Sequence, residues 1–265
     1  KRQMYGAVGT GNIEPGIVTI SLGSSGTAYT FLEQPYVDPS GEIACFCDST
    51  GHYLPLLCVS NLANGYNHVL KQFQLNHEDF NNVIRQSRPG NGGRILLPWY
   101  EGERTPDLPL AAPLYFGFRT DDFTREILCR AVLEGHILNL YDGFKKMDVK
   151  VKEIRLTGGL SNSDAWCQGI ADIFESDTVP VKGEGAALGA AIHAAWVWYK
   201  EHEESYSLKE LTDTFVIPDK NRKKKPIPDH VTVYRQQKKL FASLSLRIRG
   251  LKADDPFKIR VNMIQ

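Results

Sequence analysis

The run Ile17-Val18-Thr19-Ile20-Ser21-Leu22, followed by Gly23-Ser24-Ser25-Gly26 and then Thr27-Ala28-Tyr29-Thr30-Phe31, decides how this chain begins to fold. Two segments rich in β-branched and aromatic residues flank a short glycine-serine tip, which is the pattern of an antiparallel hairpin. Toward the C-terminus, Ile43–Cys47 and Tyr53–Val59 have the same strand chemistry and are parted by the turn residues Asp48-Ser49-Thr50-Gly51. The N-terminal third is therefore expected to be antiparallel sheet.

Helical periodicity takes over beyond it. Leu62, Tyr66, Val69, Leu70 and Phe73 share one helix face, a second short helix covers 78–85, and Pro89-Gly90-Asn91-Gly92-Gly93 breaks the pattern. After a strand at Ile95–Leu97, the irregular stretch 98–118 holds four prolines and is too long for a casual connection. The spacing of Phe123, Ile127, Leu128, Ala131, Val132, Leu138 and Tyr141 predicts the longest helix of the chain over 122–147, with Gly135 marking close packing. The rest alternates as strand 153–156, helix Asp164–Phe174, strand 178–181 and helix 186–199. The fold class is thus α/β, a mixed sheet flanked by helices. The basic run Arg222-Lys223-Lys224-Lys225, between Pro218 and Pro226, reads as a solvated loop. A last helix at 233–246 precedes a patternless tail, so residues 1–250 are expected to form one lobe and 251–265 an appendage.

With 265 residues, 42% of them hydrophobic, the chain can bury a sizeable core, which excludes disorder and a stapled miniprotein. Lys plus Arg, 31, balances Asp plus Glu, 31, so no global field draws the molecule to nucleic acid or to a membrane surface. Any polyanion must be held locally. The longest apolar stretch, 185–197, falls short of the roughly 20 residues that span a bilayer. The opening Lys1-Arg2-Gln3-Met4-Tyr5-Gly6 has neither the apolar core of a signal peptide nor an initiator Met, so the chain is expected to start within a longer protein. Cys45, Cys47, Cys58, Cys129 and Cys167 form no C-x-x-C pair and are expected to be mostly buried free thiols in a reducing compartment, the cytoplasm.

Three glycine turns carry the chemistry. Gly23-Ser24-Ser25-Gly26-Thr27 gathers hydroxyls and N–H groups at a hairpin tip, a concavity suited to phosphate oxygens, although a plain tight turn has the same composition. Gly158-Gly159-Leu160-Ser161-Asn162-Ser163 joins a strand to a helix N-terminus, which accepts phosphate or a polar ligand edge or is merely capped. Gly183-Glu184-Gly185-Ala186-Ala187-Leu188-Gly189 opens a helix, and tight helix packing is its simpler reading.

Taken in order, G-A-V-G-T-G (6–11), S-L-G-S-S-G-T (21–27), L-L-P-W-Y-E-G-E-R-T-P (96–106), R-A-V-L-E-G (130–135), T-G-G-L-S-N-S-D-A-W-C-Q-G-I-A-D (157–172) and G-A-A-L-G-A-A (185–191) resemble the FGGY carbohydrate kinases. The resemblance implies an actin-like ATPase (ribonuclease H-like) fold, of which this chain would be the C-terminal lobe. It also implies ATP and Mg2+ as cofactors, a sugar substrate, an N-terminal kinase lobe as partner and a homodimer as assembly. Carried over by position, Gly23, Ser24, Ser25 and Gly26 resemble the phosphate hairpin of this lobe. Gly158, Gly159, Asn162 and Ser163 resemble the adenosine turn, and Asn61 and Asn64 start a helix that lies across the nucleotide. The family's catalytic aspartate would fall just before Lys1, and no metal ligand is assigned. Glu103 and Arg104 are expected to pair with each other's neighbours in a structural ion pair that fixes the long loop, the alternative being that they face the cleft.

The activity this implies is ATP-dependent phosphorylation of a sugar hydroxyl, most closely that of D-xylulose, with ribulose, gluconate or glycerol as other acceptors. A noncatalytic nucleotide-binding homologue is the rival from a different class.

Overall fold

The computed structural model describes residues 2–183, 185–202 and 206–264. Lys1, Glu184 of the third glycine turn, residues 203–205 and Gln265 of the expected tail lie outside the described residues. The chain runs α1 (Arg2–Gly9), β1 (Ile17–Leu22), β2 (Gly26–Thr30), β3 (Ile43–Cys47), β4 (Tyr53–Val59), α2 (Ala63–Phe73), α3 (His77–Gln86), β5 (Ile95–Leu97) and β6 (Leu114–Phe116). It continues through α4 (Arg125–Phe144), β7 (Glu153–Thr157), α5 (Asp164–Phe174), β8 (Thr178–Pro180), α6 (Gly185–Glu201), α7 (Leu208–Phe215), α8 (Pro228–Ile248) and α9 (Pro256–Ile264).

Six strands form the main sheet in the order β3-β4-β2-β1-β7-β8. β1 is its pivot: Ile20 pairs with Ala28 across the antiparallel hairpin and with Leu156 of parallel β7. A three-residue tip, Gly23 to Ser25, can only return the chain antiparallel, whereas the long crossover from β1 to β7 permits a parallel neighbour. Because strand side chains alternate, Val18, Ile20 and Leu22 enter the main core with residues of α2, α4 and α5. Tyr29 and Leu54 pack on the opposite face against Ala7 of α1.

α4 is buried on every side from Leu128 through Leu140, so its sequence lacks the one-sided stripe of a surface helix. A Cβ on Gly135 would lie 2.4 Å from the Leu96 carbonyl oxygen, the close approach expected there. α4 has 20 residues and is not the longest helix; α8 has 21. The Asp122 carboxylate accepts from the Arg94 guanidinium and from the Arg119 N–H, which holds the chain before Thr124 outside the helix. At the other end of the sequence Pro228 opens α8, because a first-turn proline surrenders no helical bond.

α1 had no periodic signature. Glycines explain it: a Cβ on Gly9 would sit 1.6 Å from the Gly185 carbonyl oxygen, and one on Gly189 1.8 Å from that of Tyr5. α1 and α6 therefore meet backbone to backbone, and the third glycine turn serves tight helix packing. The expected tail is a helix, α9, whose Ile259 and Met263 join the main core and whose Arg260 donates to Gly93 O and Gly117 O, both at 3.1 Å. The thiol expectation holds only in part. All five cysteines are free, but only Cys129 and Cys167 are buried, and Cys47 is exposed at the end of edge strand β3.

Candidate functional site

β1 and β7 end side by side, and the turns beyond them open a cleft of about 890 Å3. Ser21 and Thr27 reach it from the hairpin, Thr157, Gly158 and Gly159 from the end of β7, Gly183 and Gly185 from the start of α6, and Gly6 and Thr10 from α1. A crevice at the carboxyl ends of parallel strands is where open α/β sheets take ligands.

The turn after β7 exists because residue 158 is glycine. Its φ is +88°, and a Cβ would lie 2.6 Å from the Leu22 carbonyl oxygen, so any side chain would strain the backbone and push β7 from β1. The next residues lock the turn. Ser161 Oγ donates to Gly158 O at 2.7 Å, and Ser161 O in turn accepts from the Cys167 thiol at 3.2 Å. Burial pushes the Cys167 thiol up to about 11, so the S–H is retained and stays a donor. Ser163 caps α5 by accepting from Trp166 N at 3.4 Å and donates to Asn81 Oδ1 at 2.6 Å. Asn81, from α3, also accepts from Ala165 N at 3.2 Å. Nothing in the local sequence marks Asn81 as part of this cap.

Of the expected site residues, Gly158, Gly159 and Asn162 line the cleft. Ser163 does not; it is buried behind the turn. Gly23, Ser24, Ser25 and Gly26 are set back, and the hairpin's contribution comes from Ser21 and Thr27 on either side of the tip. Ser24 and Ser25 are exposed, while Ser24 O accepts from Leu62 N at 3.2 Å and Ala63 N at 3.3 Å and so starts α2 in place of a side-chain cap.

Asn61 and Asn64 do not face the cleft. Asn61 is 1% exposed and donates to Gly102 O at 2.7 Å and Glu103 Oε2 at 3.1 Å, and Asn64 donates to Asn61 Oδ1 at 2.6 Å. The reason is Glu103, itself 3% exposed, which needs donors to tolerate burial. It finds them in amides, Ser60 N at 2.5 Å and Arg104 N at 2.7 Å, with the Asn139 side chain at 3.3 Å. Glu103 does fix the long loop, but by amide donors and not by the expected ion pairing.

Several lining residues carry no ligand signal of their own in the sequence. Thr10 accompanies Gly6 because α1 runs along the cleft, and its hydroxyl meets that of Thr19 at 2.8 Å. Lys182, Asp219 and Arg222 supply the charges, with Lys182 Nζ 3.6 Å from Asp219. Asp219 and Arg222 lie far from the glycine turns in sequence, whereas Lys182 directly precedes the third. Hydroxyls, glycine backbone and two cations against one carboxylate suit an anionic, polar ligand held largely by dipoles. Among the described residues no group of three or more His, Cys, Asp or Glu side chains is placed to hold a metal.

The family model for the FGGY family of carbohydrate kinases, C-terminal domain, matches residues 18–198. The chain is 38% identical over 236 residues to a xylulose kinase of Haemophilus influenzae, covering 88% of this chain and 47% of that protein. It is 32% identical over 202 residues to a gluconokinase of Bacillus licheniformis, covering 70% and 39%. Among solved structures, ligand-bound xylulose kinase from Lactobacillus acidophilus superposes with a TM-score of 0.83 at 26% identity, covering 92% of this chain and 50% of that one. Xylulose kinase from Bifidobacterium adolescentis does so with a TM-score of 0.73 at 29% identity, covering 89% and 46%. The chain thus spans about half the length of the relatives it matches. Its mixed sheet with helices on both faces is the actin-like ATPase fold of those sugar kinases. With a family match across most of the main sheet and the cleft turns, the chain belongs to the FGGY family of carbohydrate kinases, as their C-terminal domain.

Proposed function

We propose that this chain is the nucleotide-binding lobe of an ATP-dependent sugar kinase that phosphorylates D-xylulose. The cleft carries the reading. Gly159 and Gly183, where an added Cβ would meet nothing within 4 Å, leave its walls open to a ligand as large as a nucleotide, and Thr10, Ser21, Thr27 and Ser161 line it. Xylulose kinases are prominent among the relatives, which favours that acceptor over gluconate.

In this reading Ser21 and Thr27 orient the phosphates, since hydroxyls donate to phosphate oxygens without imposing a fixed charge. Gly158, Gly159 and Asn162 take the adenosine side, where a close backbone contact excludes water. Magnesium arriving with the nucleotide supplies charge neutralisation. The sugar and the N-terminal lobe complete the site from the far side of the cleft, and the proton of the attacking hydroxyl passes to an aspartate expected N-terminal to Lys1. Gln3 of α1 lies in the cleft wall.

Calorimetry tests the reading directly. The chain is expected to take up ATP with magnesium, and protein spanning both lobes to convert D-xylulose to xylulose 5-phosphate faster than gluconate. Absence of nucleotide binding would refute the lobe assignment; a preference for gluconate would refute the acceptor.

A further inference from the structure

The basic run at 222–225 is not the solvated loop its composition suggests. Residues 217–224 lie along the free edge of β8. Thr178 and Lys224 exchange N–H···O bonds, both 2.9 Å, Lys182 N donates to Ile217 O at 3.1 Å and Asp219 N to Pro180 O at 2.7 Å. Arg222, Lys223 and Lys224 each have a carboxylate, while Lys225 is exposed. Lys223 reaches Glu153 at 3.3 Å and Asp177 at 3.0 Å, Lys224 reaches Asp164 at 3.4 Å, and Arg222 reaches Asp164 Oδ1 at 3.3 Å.

Arg222 does more than pair. The same Nη2 donates to Ser161 O at 3.1 Å, the carbonyl that the Cys167 thiol also holds, and the side chain lines the cleft. Asp164 opens α5 directly behind the Ser161-Asn162 turn. A carboxylate there favours the helix start but repels a polyanion in the cleft. Arg222 and Lys224 together cancel that charge, and Arg222 alone ties the cancellation to the turn.

We propose that Arg222 is a positioning residue for nucleotide binding: it anchors the Gly158–Asn162 turn through Ser161 O and screens Asp164 from the phosphates. The proposal rests on the reading of the cleft as a nucleotide site. It makes the C-terminal strap, which shares no motif with the glycine turns, part of the binding lobe.

The test is a double-mutant cycle on the full chain, with ATP and adenosine titrated in parallel. Arg222→Ala is expected to weaken ATP about tenfold, and adenosine distinctly less because it lacks the charge. Asp164→Asn in the Arg222→Ala background is expected to restore most of the ATP loss, and Arg222→Lys to keep part of the affinity. Equal ATP affinity in Arg222→Ala and wild type, or no restoration by Asp164→Asn, overturns the proposal. If Arg222→Ala does not fold, the comparison of Arg222→Lys with Arg222→Lys/Asp164→Asn decides it on the same criterion. If the wild-type chain binds no nucleotide, the nucleotide reading fails on its own account. The anchoring is then judged by amide exchange at 158–164 in the ligand-free proteins: faster exchange in Arg222→Ala supports it, and an unchanged rate overturns it.

Discussion

Two adjacent glycines in the turn after β7 should respond to the same methyl group in opposite ways. Gly158 has φ +88°, and an added Cβ would meet the Leu22 O, C and N atoms at 2.6, 2.8 and 2.9 Å, all backbone and none able to swing aside. Holding a side-chain-bearing residue in that region costs about 1–3 kcal/mol, and forcing atoms into a packed neighbour about as much again. For a domain of this size each kcal/mol lowers Tm by roughly 2–4 °C, so Gly158→Ala should melt on the order of 10 °C below wild type. Gly159 has nothing within 4 Å of the same Cβ and no positive φ. Gly159→Ala should melt at or slightly above wild type, since the unfolded chain loses freedom worth about 0.4–1 kcal/mol. Its methyl projects into the cleft, so ATP affinity should fall by about tenfold, ~1.4 kcal/mol. Calorimetric melting of both variants, with an ATP titration of Gly159→Ala, reads all three quantities. A Gly158→Ala melt within about 2 °C of wild type would refute the claim that glycine is demanded there by backbone contact with β1.

Gly189→Ala should open the α1–α6 contact, because its Cβ would overlap Tyr5 O at 1.8 Å; thermal melting should show a loss of several degrees, and an unchanged melt would mean that α1 shifts freely. Asn61→Ala should lower stability by about 1–3 kcal/mol by stripping a donor from buried Glu103, while ATP affinity of the folded protein is kept; Asn162→Ala should do the reverse, and urea unfolding beside nucleotide titration separates the two. His136 lies fully buried, with Nδ1 2.6 Å from Val132 O, and burial pushes its pKa down to about 4. Its folded value is below the unfolded one, near 6.5, so the unfolded chain takes the proton first: stability is fully present above about pH 6.5 and is lost as pH falls toward 4, by up to ~3 kcal/mol. His136→Gln should flatten that slope in urea midpoints taken between pH 7 and 4.5; identical slopes would place the acid sensitivity elsewhere.

The strands around the hairpin, the helix at Asp164–Phe174 and the α/β alternation were legible because each rests on local patterning. β-branched runs, helical spacing and glycine punctuation report their own backbone. Less was legible in α1, whose glycines erase the apolar stripe that marks a helix, and in α9, where Phe257, Ile259, Val261 and Met263 alternate with polar residues in the spacing of a strand. The cleft was half legible. Gly158, Gly159 and Asn162 sit where their motif placed them, while Ser21 and Thr27 displaced the hairpin tip itself as the lining groups. Asn61 and Asn64 lie outside the cleft lining for a physical reason. A helix start shows amide side chains that suit either a ligand or a buried carboxylate, and the carboxylate, Glu103, is distant in sequence.

What this sequence determined alone was a set of elements, a family, and the residue types at three turns. Each follows from short-range sterics: glycine where φ is positive, serine and asparagine where helix amides need acceptors, β-branched residues where the chain extends. Tertiary structure decided which of those residues share a space. The pairing of β1 with both β2 and β7 brings the hairpin and the Gly158 turn to one edge of the sheet. The strap at 217–224 then adds Asp219 and Arg222, which no local signal connects to the cleft. Burial set the remaining roles, because a carboxylate or imidazole taken out of water must find partners from whichever segment the fold lays beside it.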